Sequence, residues 1–162
     1  MNHQPFDLET FPLDGMRLIE ASAGTGKTFS LAGLFLRLLV EKRLDVRDIL
    51  VMTFTRAATQ ELRERIRTRL ALAARIAARP EDADPDDVEQ RIAAAIIAAA
   101  EAGEPRPSIA RRLRDAAARM DDAAISTIHG FAQQAARENA FDSGLPFDRG
   151  TQVDDAEVHR EA

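Results

Sequence analysis

Residues 17–28 read RLIEASAGTGKT, and the fold class follows from them. Arg17–Ser22 is short, partly β-branched and followed by a glycine-rich turn, which reads as a buried strand. Ala21 to Thr28 fit the pattern G-x-x-x-x-G-K-[ST], with Ala at the first glycine position. Behind them Leu31, Leu34, Phe35, Leu38 and Leu39 form a helical stripe from Lys27 to about Arg43. Strand, loop and amphipathic helix in this order are the setting in which such a loop holds phosphate. The backbone N–H groups of Gly24 to Thr28 can converge on phosphate oxygens, where the helix dipole also favours negative charge. Gly24 and Gly26 allow close backbone approach and positive φ. Lys27 would neutralise the β- and γ-phosphates, and the Thr28 hydroxyl would ligate Mg²⁺. The expected nucleotide-binding residues are therefore Ala21, Ser22, Ala23, Gly24, Thr25, Gly26, Lys27 and Thr28. The plain alternative is a glycine-rich turn with a structural role only.

Further along, Ile49–Phe54 is an unbroken apolar run of strand length, suited to a parallel strand buried on both faces. From Ala57 to about Arg79, Leu62, Ile66, Leu70, Ala73 and Ala77 recur at three- and four-residue spacing, which predicts a long helix. Strand, helix, strand, helix indicates an α/β domain with right-handed crossovers. Pro80–Asp87 is an acidic break. Val88, Ile92, Ile96 and Ala99 then mark a second helix, stopped by Gly103 and Pro105. Ser108 can cap a third, with Ile109, Leu113, Ala117 and Met120 on one face. Ala124–Ile128 reads as another strand and Gly130–Asn139 as a helix, while Phe141 to Ala162 has weak periodicity. The expected architecture is an α/β P-loop core with a parallel sheet and an α-helical insertion at about 80–120.

Composition excludes several chemistries. The 162 residues contain no cysteine, so disulfides, thiolate metal sites and a cysteine nucleophile are ruled out. His3, His129 and His159 are scattered, which argues against a His-rich metal site. No apolar run reaches the ~18 residues of a membrane span, and MNHQPFDLETF lacks the form of a signal peptide, so the cytoplasm is the expected location. The net charge of −5 is unevenly spread. Residues 56–79 carry seven Arg and two Glu, whereas 80–104 carry eight acids and one Arg. Solvated helix faces are the ordinary reading, and a basic helix lying along a polyanion is the other.

Three stretches together narrow the family: LIEASAGTGKTFSLAGLFLRLL, VMTFTRAATQELRERI and STIHGF. In that order they resemble the amino-terminal motor domain of UvrD-like, superfamily 1 DNA helicases, over about residues 12–150. VMTFTRAATQELRERI is similar to that family's motif Ia, and STIHGF to its next DNA-facing motif. The resemblance implies a RecA-like motor domain, incomplete here, over residues 1–150, with residues 151–162 opening a following segment. It implies ATP and Mg²⁺ as cofactors, Lys27 and Thr28 as catalytic residues with Thr28 on the metal, and DNA as partner. In the helicase–nuclease branch of the family it also implies two further subunits and a role in double-strand break repair. An AddA-like helicase–nuclease, a plain UvrD- or Rep-type helicase, and a non-catalytic ATP- and DNA-binding remnant are the alternatives.

The residues themselves agree with that assignment. Phe54, Thr55 and Arg56 are expected at the carboxyl end of a parallel strand, where open α/β sheets bind ligands. Hydroxyls and a guanidinium there suit a phosphodiester backbone. Phe54 taken alone reads first as core, because it ends an apolar run, with a base-stacking surface as the alternative. Thr127 and His129 end the next strand in the same way, and Phe131 reads as core. Arg63 and Arg67 share a helix face without an assigned role. An apolar strand ending in Asp-Glu is missing: Asp121-Asp122 precedes a strand, and Asp154-Asp155 follows a single valine. A small P-loop kinase would need basic residues where PEDADPDD is acidic.

Overall fold

The computed structural model describes residues 5–21 and 26–139. Five helices and two short strands follow one another as α1 (Lys27–Glu41), β1 (Val51–Thr53), α2 (Arg56–Ala78), α3 (Val88–Ala100), α4 (Arg106–Ala118), β2 (Ile125–Thr127) and α5 (Ile128–Glu138). The two strands pair in parallel, Val51 opposite Ile125 and Thr53 opposite Thr127. A parallel pair needs a long crossover, and α2, α3 and α4 supply it.

Helix α2 is the hub and packs against α1, α3 and α4. Its stripe Leu62, Ile66, Leu70, Ala73 and Ala77 is buried as the spacing predicts. Around it gather Phe35, Leu36 and Leu39 of α1, Ile96 and Ile97 of α3, and Ile109 and Leu113 of α4. Each such side chain contributes roughly 1.5–3 kcal/mol by leaving water. The arginines of α2 serve this packing too. Arg63 donates to the carbonyls of Met120 (2.6 Å) and Ile125 (2.9 Å), fastening the helix to the chain entering β2. Arg67 pairs with Glu64 and Asp121, and Arg69 with Glu89. The polyanion reading of this basic helix loses those three side chains to internal partners.

Local chemistry sets the helix ends. Thr55 accepts from the Ala58 N–H to cap α2, and Asp87 accepts from the Glu89 and Gln90 N–H groups to cap α3. The third helical segment begins at Arg106 rather than at Ser108, because Pro105 and Pro107 favour the first turn, where the missing N–H groups cost nothing. Ser108 therefore lies inside α4.

Several expectations require correction. Residues 17–21 form no strand, and Leu18 is 82% exposed. Apolar pattern alone cannot make a buried strand; its N–H and C=O groups need a neighbour, and among the described residues the sheet is only β1 and β2. For the same reason β1 covers three residues, and Met52 and Phe54 stand on an open face instead of in a core. Phe131 is also exposed, since α5 has no buried residue. In α1 the buried stripe is Ala32, Phe35, Leu36, Leu39 and Val40, and Leu31 points outward. In α3, Val88 and Ala99 are exposed while Ala93 and Ile97 take the inner face. Residues from 140 onward, including Asp154 and Asp155, lie outside the described residues.

Candidate nucleotide and nucleic-acid sites

The segment expected to bind phosphate meets α1 at Gly26, whose φ of 81° lies in the left-handed region that glycine adopts without strain. Gly26 is the N-cap residue, and no side-chain hydrogen bond caps the helix. The α1 start therefore presents backbone N–H groups and the positive end of the helix dipole. The Ser30 N–H donates to the Gly26 carbonyl at 2.8 Å, which closes the first turn. Lys27 is exposed, and its ammonium donates to the Ala21 carbonyl at 2.5 Å, reaching back to where the chain enters the loop. Thr28 is half-buried beside it. Ser22, Ala23, Gly24 and Thr25 lie outside the described residues.

Among the described residues no group of three or more His, Asp or Glu side chains is placed to hold a metal ion. Mg²⁺ at such loops is held through the loop hydroxyl and a carboxylate, with substrate phosphates and water, rather than by an all-protein cage. Of these the Thr28 hydroxyl is the expected loop ligand.

The second group is assembled by strand pairing. Thr53 and Thr127 are register partners at the carboxyl ends of β1 and β2. From there each chain turns into a helix whose first turn a threonine caps. Thr55 accepts from the Ala58 N–H at 3.1 Å, and Thr127 accepts from the Gly130 N–H at 3.0 Å. Phe54, Thr55, Arg56, Thr127 and His129 are thereby brought to one sheet edge. Phe54 is 88% exposed, and Arg56 and His129 are also exposed. The Thr53 hydroxyl contacts that of Thr59 at 2.6 Å, and Thr59 also donates to the Thr55 carbonyl, so the turn carrying Phe54 is braced from beneath. Sequence reading missed Thr53 and Thr59. The signal was present in Thr53-x-Thr55-x-x-x-Thr59, three hydroxyls spaced across a strand-to-helix turn.

The edge is polar where it holds the backbone, and it meets solvent with one aromatic ring beside Arg56 and His129. Hydroxyls fixed to backbone N–H groups, an exposed guanidinium and an exposed ring can together contact phosphate and stack on a base. At Gly130 an added Cβ would come within 3.1 Å of the Thr127 hydroxyl, so glycine leaves that cap undisturbed. No helix among the described residues is long and apolar enough to cross a membrane.

Comparison with known proteins follows the same line. The family described as UvrD/REP helicase N-terminal domain matches residues 1–161. The chain is 44% identical over 146 residues to the RecBCD enzyme subunit RecB of Escherichia coli strain K12, covering 85% of this chain and 12% of that protein. It is 38% identical over 155 residues to RecB of Haemophilus influenzae, covering 88% of this chain and 12% of the relative. RecB of Mycolicibacterium smegmatis is 42% identical over 116 residues, or 72% of this chain and 10% of the relative. The chain thus spans about an eighth of the length of the first two relatives.

Proposed function

Because the chain belongs to the UvrD/REP helicase N-terminal domain family, we propose that it is the ATP- and DNA-binding amino-terminal part of an ATP-dependent DNA helicase–exonuclease subunit of the RecB type. Its work is recombinational repair of double-strand breaks. In the whole protein the partners are DNA, as single strand and duplex end, and subunits of the RecC and RecD types. Residues 1–150 form the first part of a RecA-like motor domain, with the helical insertion at about 80–120.

The observation that carries this reading is the pairing of Thr53 with Thr127, which sets two sequence motifs side by side at one sheet edge. Gly26 to Thr28 bind the phosphates of ATP through backbone N–H groups, and Lys27 moves from the Ala21 carbonyl to the phosphate oxygens. When bound, Mg²⁺ supplies charge neutralisation on the β- and γ-phosphates. Thr28 would hold it by its hydroxyl. Phe54 stacks on a base, while Arg56, Thr55, Thr127 and His129 contact the sugar–phosphate backbone without reading sequence.

The test measures binding of a fluorescent ATP analogue and of a labelled single-stranded oligonucleotide by the same chain. Two separable sites are expected: Lys27→Ala removes the first, and Phe54→Ala with Arg56→Ala weakens the second. If Lys27→Ala left both unchanged, the loop would be a structural turn and the reading would fail.

A further inference from the structure

Among the described residues Arg37 and Arg69 are the buried charged side chains, and they are used differently. Arg37 on α1 pairs with Glu41 and donates to the carbonyls of Leu8 (3.0 Å) and Phe11 (2.5 Å), so it pins the preceding segment onto the helix. Arg69 on α2, only 2% exposed, reaches two other elements. Its Nε donates to Glu89 of α3 at 2.7 Å, and its Nη1 donates to the Phe29 carbonyl at 2.9 Å. The guanidinium carbon also lies 4.0 Å from the centre of the Phe29 ring. Its Nη2 is buried without a hydrogen-bond partner.

The approach is possible because residue 33 is glycine. A Cβ there would fall 2.7 Å from Arg69 Nη1 and 2.2 Å from Leu8 Cδ2. Arg69 therefore enters a slot in α1 that any other residue would obstruct. The place it grips is the first turn, since Phe29 follows Lys27 and Thr28 directly. That turn starts from a left-handed Gly26 without a side-chain cap, so little else local to it resists fraying. A buried ion is costly unless its partners are well placed, and Glu89 is the counter-charge that keeps this one in position.

We propose that Arg69 is a positioning residue for the nucleotide loop, holding the first turn of α1 by the Phe29 carbonyl and ring. Glu89 anchors it, so the helical insertion acts on nucleotide affinity through this one side chain. The proposal rests on the reading of Gly26–Thr28 as the nucleotide site. The polar and ring contacts of Arg69 run to Phe29 and Glu89 and not to the sheet edge that carries Phe54 and Thr127.

The experiment measures three quantities on the full chain: affinity for a fluorescent ATP analogue with Mg²⁺, affinity for single-stranded DNA, and amide hydrogen exchange of Ser30–Gly33. Arg69→Met keeps the apolar packing and removes the clamp. It is expected to weaken nucleotide binding about tenfold, to speed exchange at Ser30–Gly33, and to leave DNA affinity within about twofold. Glu89→Ala moves the same readouts in the same direction. Glu89→Gln, which retains an acceptor oxygen for the Arg69 Nε but not the counter-charge, is expected to fall between Glu89→Ala and the parent. Should Arg69→Met fail to fold, Glu89→Ala at its partly exposed site carries the test with the same thresholds. Nucleotide affinity that stays within about twofold in a variant of reduced thermal stability overturns the proposal, as does parallel loss of nucleotide and DNA affinity. Lys27→Ala run alongside separates the two readings. Unchanged nucleotide affinity in that variant sinks the loop assignment, and the proposal with it. Lys27-dependent binding that ignores Arg69 sinks the proposal alone.

Discussion

Thr53 and Thr127 face one another across the parallel pair, each at the last residue of its strand. Thr127 itself caps the helix that follows, whereas Thr53 stands two residues before the equivalent cap, Thr55. The two strand ends are thus near-copies of one device: a strand, a threonine whose hydroxyl accepts a backbone N–H, and a helix leaving the sheet. Between them they hold Phe54, Arg56 and His129 in solvent without using those side chains for folding.

Lysine is rare in this chain, which makes a sharp comparison possible. Lys27→Ala is expected to abolish measurable binding of an ATP analogue, while Lys42→Ala leaves it within about twofold. Lys42 is held by Asp14 at 2.8 Å and lies at the far end of α1. Equal losses in a fluorescence titration would contradict the assignment.

Phe54→Ala should cost little stability, because the ring is already in solvent. It should weaken single-strand binding by about one order of magnitude, the scale of one lost base–aromatic stack. Residual affinity should fall steeply with added salt and ignore base sequence. Binding that is unchanged in high salt, measured by anisotropy, would show that the edge does not hold a phosphate backbone.

The two threonine caps should behave unequally when each hydroxyl is replaced. Thr55→Val removes the cap of the hub helix and should lower the global unfolding free energy by about 1 kcal/mol. Thr127→Val should cost the same locally, but α5 has no buried residue, so only its own amide protection should fall. Urea melts paired with hydrogen exchange distinguish the two.

Acid should reveal Asp45. The Arg47 backbone N–H, then the Arg47 guanidinium, hold its carboxyl below the usual range, and Arg119 adds to this. A folded pKa below the unfolded value contributes stability fully above the unfolded pKa of about 3.9 and loses it as pH falls through the folded one. Asp45→Asn should therefore destabilise at neutral pH, and the gap between variant and parent should close as pH falls below about 4. A gap in the urea midpoint that persists unchanged into acid would mean the charge is not what matters.

Turnover should be slow. On the proposed reading Lys27 and Thr28 are the catalytic groups, and phosphoryl transfer to water also needs an oriented water and an arginine worth ~10³–10⁵ in rate. Steady-state phosphate release with single-stranded DNA should barely exceed that of Lys27→Ala. Robust Lys27-dependent release would point to a missed acid, with Asp121, Asp122, Asp154 and Asp155 the first to substitute.

Whatever depends on neighbours along the chain is legible from the residues alone. Apolar spacing in 57–79 announced α2, because 3.6-residue periodicity is local. Gly24-Thr25-Gly26-Lys27-Thr28 carries the motif on which the proposed nucleotide site rests, because the motif is a backbone shape with a fixed side chain beside it. The motif order was enough to reach the helicase family. What depends on partners distant in sequence was settled only by the packed chain. Residues 17–21 have strand-like composition but form no strand without a neighbour to bond, and Phe54 ends an apolar run yet stands in water because nothing among the described residues covers that face. Arg69 reads in sequence as one more charge on a basic helix. Only the meeting of α1, α2 and α3 buries it between Phe29 and Glu89, since burial is a property of what packs on a residue and not of the residue.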